Sequence, residues 1–301
     1  MQMTSPATIR QVSAKTIAVA TDFSATAGAA LDYAVSLAML HNIKIFLVHA
    51  LAPSTPPSNG NGGSEAWREL RAQAEAQLQR ESAKLADVRH ELVLEEGDVL
   101  DVLRHVIAAN SVDLVVVGSH GQSGKKPLPG SVAERIFRHA GCPVLTIGPN
   151  LHDCVPPSTK ILFPSDLLDS CAAAAYATTL ARQRRARLSF LHVLQGARPP
   201  RHRETDWICE VYRDAMRRLV PPGSQLATPP DFLVEFGKDP IGIVLEVARE
   251  LPADLIVLGV GSGEHPGTPS HDRAGRIVAQ ATCPVLTIAE ARGAQAVSTT
   301  K

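Results

Sequence analysis

The sequence predicts an α/β protein made of two tandem units, each a doubly wound, parallel, five-stranded sheet with flanking helices. Short apolar runs alternate with helical patterns along the whole chain, which is typical of parallel strands covered by helices on both faces. Blocks of the first half also return in the same order in the second half, which indicates an internal duplication. A chain of 301 residues, 45% of them hydrophobic, is long enough for two such domains.

Four strand-like blocks match between the two halves. They keep the same order, the last block is identical in both halves, and His49 and His192 are taken as equivalent. The pairs are TIAVATDFS at 16–24 with KILFPSDLL at 160–168, FLVHA at 46–50 with FLHVL at 190–194, LVVVG at 114–118 with LIVLG at 255–259, and CPVLTI at 142–147 with the same letters at 283–288.

Each element of the first half has a local signal. The strands are continuous apolar runs, and the first helix shows an apolar stripe through Leu31, Ala34 and Ala38. The second helix is rich in good helix formers, with Ser64 as its N-cap. The predicted strands are 17–20, 43–50, 91–95, 114–117 and 144–147, and the predicted helices are 25–41, 65–87, 99–110 and 131–139.

The second half repeats this plan with a shorter second helix. Because crossovers between parallel strands are right-handed, we expect each half to be a Rossmann-like, nucleotide-binding-like sandwich. We expect the two halves to be related by a pseudo-twofold axis. We expect domains at 10–149 and 159–290, and a disordered tail at 291–301. The predicted strands are 161–164, 188–193, 232–236, 255–258 and 285–288, and the predicted helices are 170–183, 206–219, 241–249 and 273–280.

Composition excludes several classes of protein. Lys and Arg together equal Asp and Glu at 30 each, so the chain lacks the charge of a nucleic-acid binder. No apolar stretch approaches the roughly 20 residues of a membrane helix, and the start does not resemble a signal peptide. The five cysteines are odd in number and form no CxxC pair. They favour a reducing cytoplasm over a disulfide scaffold or a zinc site.

A glycine-rich loop after the fourth strand carries the main functional signal. Parallel α/β sheets bind ligands at the carboxyl ends of their strands, and Gly118 and Gly121 lack a Cβ that would keep a phosphate away from the backbone. Gly130 and Ser131 open a helix, whose free N–H groups and partial positive charge favour an anion. Asp22, after strand one, is suited to accept a ribose hydroxyl or to hold Mg²⁺ that bridges phosphates.

Better-known nucleotide and enzyme motifs do not match this chain. GKK at 124–126 lacks the Walker spacing, and the glycine pair at 259 and 261 lacks the third glycine of GxGxxG. No GxSxG, HExxH or nucleophile–base pair is present. We therefore expect no enzyme activity beyond slow, incidental ATP hydrolysis, and we interpret His49, His192, Cys142 and Cys283 as packed residues rather than catalytic groups.

On these motifs the chain resembles a tandem member of the universal stress protein family, from about residue 10 to 290. ATP-binding members carry G-x2-G-x9-G-[ST], an Asp in a strand-one motif and a His in strand two. The spacer 122–129 has eight residues here, one fewer than the family pattern.

The resemblance implies a nucleotide site in the first domain, with ATP as cofactor, alone or with Mg²⁺. It implies that the Ala50 backbone pairs with adenine, that Asp22 faces the ribose, and that the loop and the Val132 N–H hold the phosphates. The implied contacts are Ala20, Thr21, Asp22, Ala50, Gly118, Ser119, His120, Gly121, Gly130, Ser131 and Val132.

The second half keeps Asp166 but has lost most of the loop pattern. The counterparts of the phosphate positions are Gly259, Ser262, His271 and Asp272. A carboxylate at the helix start would repel a phosphate. We therefore expect no ATP in the second domain.

Three functions stay open on the sequence. The first is a cytoplasmic stress-response regulator that binds ATP in its first domain and acts through conformation on an unknown protein partner. Its domains would pair as an intrachain pseudo-dimer, and a homodimer is a further option. The second is a nucleotide-free scaffold of the same fold. The third is an enzyme acting on an adenylated or phosphorylated metabolite.

Overall fold

A computed structural model describes residues 14–52, 62–120, 131–151, 159–167, 170–197, 203–261 and 269–290. By their contacts the residues fall into two compact bodies, one with most of the first half of the chain and the segment Val278–Leu286, the other with the rest of the second half. The two sequence repeats, residues 14–151 (the first unit) and 159–290 (the second unit), are each a parallel sheet with flanking helices. The predicted tail at 291–301, and residues 10–13 of the predicted first domain, lie outside the described residues.

The first unit has the strand order β3-β2-β1-β4-β5, with every pairing parallel. A 3₁₀ turn at Ala83–Leu85 follows its second helix. The elements are β1 Thr16–Ala20, α1 Ala25–His41, β2 Lys44–Leu51, α2 Gly62–Ser82, β3 His90–Glu96, α3 Val99–Asn110, β4 Leu114–Gly118, α4 Ser131–His139 and β5 Val144–Ile147.

The second unit repeats this order as β8-β7-β6-β9, with β10 next to β9. Helix α6 is shorter than α2, as predicted. The elements are β6 Lys160–Pro164, α5 Cys171–Arg184, β7 Arg187–Gln195, α6 Arg203–Leu219, β8 Asp231–Gly237, α7 Pro240–Glu250, β9 Leu255–Gly261, α8 Pro269–Gln280 and β10 Val285–Glu290.

Three sequence predictions need correction. Helix α8 begins at Pro269 rather than at residue 273. Helix α2 begins at Gly62 and ends at Ser82, so Ser64 lies inside it rather than capping it. Glycine is tolerated there because the first helical turn makes no intrahelical N–H bonds.

The alignment of 46–50 with 190–194 is also one residue off. Ala20 pairs with Val48 and its counterpart Pro164 with Leu191, so 46–50 corresponds to 189–193, and His49 does correspond to His192.

The core of the first unit is centred on β1. Ile17, Ala18 and Val19 are completely buried, and β1 has β2 on one side and β4 on the other. The chain therefore reverses its direction of winding at β1. Such a reversal opens a crevice beyond the carboxyl ends of the two diverging strands, here β1 and β4.

An ion pair joins the two helices on either side of β4. Asp98, the N-cap of α3, accepts from Leu100 N and forms a two-point hydrogen bond with the Arg135 guanidinium of α4, at 2.9 and 3.0 Å. The Arg135 hydrogen bond holds the pKa of the Asp98 carboxyl below its ordinary value of 3.8. The pair therefore helps to orient α4, the helix that follows the glycine-rich loop.

Gly118, the last residue of β4, lies against the start of α1. A Cβ at this position would be 2.7 Å from the Thr26 carbonyl carbon and 2.8 Å from Ala27 N, both of them backbone atoms that cannot rotate away. A Cβ at Gly28, inside α1, would meet only the flexible end of Lys84 at 3.9 Å. The close packing of the end of β4 on the start of α1 thus requires glycine at position 118. Position 28 has room for a larger side chain.

We expect Gly118→Ala to destabilise the protein by about 1–3 kcal/mol, because the new methyl group overpacks the α1 backbone. The matched change Gly28→Ala should instead be neutral or stabilise by up to about 1 kcal/mol, since alanine is the better helix former. Urea unfolding of both variants measures this. Equal stabilities for the two variants would contradict the close approach at Gly118.

We expect the Asp98–Arg135 pair to give a pH-dependent stabilisation. Because folding lowers the Asp98 pKa, the stabilisation is complete above the unfolded-state value and is lost as the pH falls through the lower folded-state value. Asp98→Asn keeps an N-cap acceptor, so it should cost only the ion pair, up to about 1 kcal/mol at pH 7 for so exposed a pair.

Urea titrations of the wild type and Asp98→Asn at pH 7 and at steps below 3.8 measure this effect. The difference in unfolding free energy should shrink towards zero in acid. A difference that does not change with pH would show that the pair contributes nothing through charge.

Candidate functional site

The predicted site residues of the first unit meet at the carboxyl edge of its sheet. Ala20 ends β1, with Thr21 and Asp22 directly after it, and Ala50 lies near the end of β2. Gly118 ends β4, and Ser119 and His120 follow. Ser131 and Val132 begin α4, and the Val132 side chain is exposed. Gly121, Gly130 and the Ser131 side chain lie outside the described residues.

A tight turn after β1 fixes the orientation of Asp22. The Asp22 carboxylate accepts from Ser24 N at 3.0 Å, and the Thr21 hydroxyl accepts from Phe23 N at 3.0 Å. These bonds hold Phe23 in the left-handed region, at φ 62°, which costs a non-glycine residue of the order of 1 kcal/mol. Ser24 then caps α1 by accepting from Ala27 N.

His49 is built into this turn. Its Nδ1–H donates to the Thr21 carbonyl at 2.8 Å, and Nδ1 must carry the proton because a carbonyl oxygen can only accept. The His49 ring packs on Phe23 with ring centroids 4.5 Å apart. His49 is thus a hydrogen-bonded, packed residue of the site wall. The sequence pointed to Asp22 but gave no reason to select Phe23.

The start of the glycine-rich loop is tied to α1. The His120 carbonyl accepts from the hydroxyls of Ser24, at 3.3 Å, and of Thr26, while the His120 ring shares a hydrogen bond of 2.7 Å with the buried Ser119 hydroxyl. Sequence reasoning missed Ser24 and Thr26. The signal was present, because a Ser or Thr at a helix start is a common capping residue.

The peptide groups of Ala50 face the crevice. The carbonyl of Val48 points towards β1 and accepts from Thr21 N, whereas that of Leu51 points towards β3 and accepts from Gly97 N. Peptide groups of successive residues in a strand point to opposite sides, so those of Ala50 point towards β1. Since β1 has already ended at Ala20, no strand occupies that side.

The second unit keeps the turn. Leu167 has φ 68°, its N–H donates to the Ser165 hydroxyl at 3.0 Å, and His192 Nδ1–H donates to the Ser165 carbonyl at 2.8 Å. His192 stacks on Tyr212 of α6, whereas the His49 ring packs at a tilt against Phe23 of the turn itself. A feature that both units share is part of the scaffold, so the strained turn alone does not indicate a ligand.

The segment between the fourth strand and the fourth helix differs between the units. In the first unit β4 ends at Gly118 and α4 begins at Ser131, so twelve residues lie between them. In the second unit β9 continues to Gly261 and α8 already begins at Pro269, leaving seven. Asp272 therefore lies in the first turn of α8 rather than at its first residue, and the helix start is displaced by three residues, about 4.5 Å.

Cysteine chemistry lies outside this site. Burial raises the pKa of the Cys142 thiol to about 12, so it stays protonated and unreactive at neutral pH. Cys283 and Cys209 are buried and Cys171 is exposed, and among the described residues none of the three forms a disulfide. Among the described residues no three His, Cys, Asp or Glu side chains gather to hold a metal ion. In the same part of the chain no helix is long and apolar enough to cross a membrane.

Comparison with known proteins places this fold. The model of the universal stress protein family matches twice, at residues 13–148 and 157–289. Universal stress protein MJ0531 of Methanocaldococcus jannaschii is 26% identical over 140 residues, which cover 44% of this chain and 81% of that protein.

Two solved structures match nearly the whole length. A universal stress protein from Archaeoglobus fulgidus has a TM-score of 0.63 at 16% identity, covering 92% of this chain and 99% of its own. A putative universal stress protein from Pseudomonas aeruginosa has a TM-score of 0.54 at 15% identity, covering 93% and 94%. At these identities the two structures support the fold alone. With both halves matched by the family model, the chain belongs to the universal stress protein family and carries two tandem domains of it.

Proposed function

We propose that this chain is a cytoplasmic stress-response regulator that binds ATP in its first domain and signals through its conformation to a protein partner. The observation that carries the proposal is a convergence at one sheet edge. The Asp22 carboxylate, the Ala50 peptide groups and the start of α4 all border the crevice between β1 and β4. None of the described cysteines forms a disulfide, which supports a reducing compartment.

These groups match the parts of ATP. The Ala50 peptide groups offer one donor and one acceptor for the adenine edge, and Asp22 offers a carboxylate for the ribose hydroxyls. The N–H groups at the start of α4, with Ser131 and Val132, suit the phosphates. Gly118, Ser119, His120, Gly121 and Gly130 would complete the phosphate loop. Mg²⁺ bound with ATP would offset phosphate charge, and Asp22 is the carboxylate of this edge that would face it.

We propose that the second domain does not hold a nucleotide. Its intervening segment is five residues shorter, its helix starts earlier, and Asp272 adds negative charge to the first helical turn. Asp166 is retained but is exposed. The second domain would then act as a structural companion to the first, and ATP would bias the conformation that a partner meets.

We propose that ATP serves as a ligand rather than a substrate, with His49 in a structural role. Its Nδ1–H donates to the Thr21 carbonyl and its ring packs on Phe23, which supports a place in the site wall.

A nucleotide-free scaffold is the second candidate, and two observations favour it. Gly118 is required by its contact with α1, and the turn at Phe23 recurs in the second unit as Leu167. Two features that suggest a nucleotide site therefore have structural explanations of their own.

Isothermal titration with Mg-ATP separates these candidates. We expect the wild type to bind one ATP per chain, and Asp22→Asn to weaken binding about tenfold or more, since a hydrogen bond to a charged group is worth about 1.5–3 kcal/mol. Asparagine keeps the acceptor for Ser24 N, so the turn is preserved. The matched change Asp166→Asn in the second domain should leave the affinity unchanged.

Absence of heat for the wild type would favour the scaffold. An equal loss in both variants would contradict a site confined to the first domain.

A further inference from the structure

Helix α6 of the second unit has one buried face and one exposed face. Cys209 and Met216 lie two helical turns apart, and both are buried. The opposite face of the helix exposes Trp207 at 68% and Val211 at 45%. Tryptophan side chains are largely buried in most proteins, so Trp207 is an unusual surface residue.

Trp207, Val211 and Arg218 share a narrow stripe on this exposed face. Successive residues of an α-helix turn by about 100°, so the three side chains fall within about 40° of one another. Trp207 and Arg218 lie about three turns, or about 16 Å, apart along the helix axis, and Val211 lies between them. The stripe thus runs from an aromatic ring, through an aliphatic side chain, to a cation.

Arg218 is free to bind an aromatic ring. Arg213 and Arg217 both donate to the Glu210 carboxylate, at 3.3 and 2.7 Å. Among the described residues no ion pair includes Arg218, and its side chain is exposed. A guanidinium is attracted to the face of a tryptophan ring, but Trp207 of the same helix lies too far away for this contact.

The charges of α6 divide between its two halves. Within residues 206–219 the first half carries two carboxylates, and the second half carries three guanidinium groups and one carboxylate. The residues are Asp206 and Glu210 in the first half, and Arg213, Asp214, Arg217 and Arg218 in the second. An antiparallel helix of the same sequence would therefore place each negative half against a positive half, whereas a parallel one would bring like charges together.

This face suits a second copy of the chain better than a membrane or a polyanion. Lipid surfaces and nucleic acids attract faces of uniformly positive charge. The exposed face of α6 carries carboxylates among its guanidinium groups, so it lacks that charge. Its aromatic ring and its unpaired cation instead complement each other when two copies face in opposite directions.

We propose that two chains associate through α6 of their second domains, as a twofold pair of antiparallel helices. With the axis midway between Trp207 and Arg218, each Trp207 ring receives Arg218 of the partner subunit. The two Val211 side chains meet near the axis. The same patch serves on both copies, as a twofold interface requires. Because α6 belongs to the second domain, this association does not depend on the nucleotide site of the first.

Sedimentation velocity of the full chain without nucleotide tests the association. A single pair of helices buries less than the roughly 1,200 Å² at which standard interfaces begin, so we expect a reversible dimer with a dissociation constant of about 10–100 µM. Trp207→Ala should weaken the dimer about tenfold or more, because a central tryptophan contributes strongly to an interface. A wild type that stays monomeric at about 500 µM would overturn the proposal.

Leu70→Ala is the matched control for Trp207→Ala. Leu70 is 53% exposed on α2, the helix of the first unit that corresponds to α6. We expect this change to leave the dimer unaffected. Equal dissociation constants for the two variants would show that the exposed tryptophan is not part of an interface and would also overturn the proposal.

A compensating pair tests the contact between Trp207 and Arg218. Trp207→Lys places two cations opposite each other and should weaken the dimer. Adding Arg218→Glu gives an ion pair at the same two positions, so the double variant should recover about threefold or more in affinity over Trp207→Lys alone. Further weakening in the double variant, or no change, would contradict the pairing of these residues across the axis.

Oxidative crosslinking tests the position of the twofold axis. Val211→Cys should form a covalent dimer because the two side chains meet near the axis, whereas Leu70→Cys should not. Both variants carry Cys171→Ser, which removes the exposed natural thiol. A dimer that does not crosslink through residue 211, or crosslinks equally through residue 70, would place the interface elsewhere and overturn the proposal.

Discussion

The turn after β1 determines the geometry of the first domain's site. Two side-chain hydrogen bonds hold Phe23 in a left-handed conformation, and the chain then enters α1 with its first turn against Gly118. This contact fixes where β4 ends relative to α1. On the side of β1 no strand lies beside Ala50, because β1 has already ended there. The start of α1 also anchors the His120 carbonyl through the hydroxyls of Ser24 and Thr26, so β1, β2 and the start of the glycine-rich loop are positioned together.

The two domains show how one scaffold diverges without losing its frame. The turn at Phe23 recurs at Leu167, and the Lys44–Glu91 ion pair recurs as Arg187–Asp231 at equivalent sheet positions. Two of the differences lie at the two ends of the sheet. At the carboxyl edge the second domain has a shorter segment before its fourth helix, and at the amino edge a serine replaces a buried phenylalanine.

Much of the fold could be predicted because apolar runs and helical stripes are local signals. Helices α1, α3 and α4 begin and end where the sequence predicted them. The error at α2 arose because Ser64 is a good capping residue that the structure places inside the helix. The sequence alignment placed 46–50 opposite 190–194 because both segments begin with phenylalanine. The strand register instead gives Phe46 the position of Ser189, so 46–50 corresponds to 189–193, and the sequence alone could not show this.

The candidate site was predictable in part. Asp22 and Gly118 fall at the ends of β1 and β4, where the strand order opens a crevice, and the sequence pointed to both. Phe23, Thr26 and the Asp98–Arg135 pair act by supporting other groups across the fold, and such contacts leave no pattern along the chain. The close approach that requires Gly118 is likewise a property of packing between β4 and α1.

The most direct test of the central claim is a crystal structure of the full chain grown with Mg-ATP. We expect nucleotide density between the ends of β1 and β4, with the ribose at Asp22, the adenine at Ala50 and the phosphates at the start of α4. The corresponding place in the second domain should hold none. An empty first crevice, or equal nucleotide density in both domains, would contradict the account.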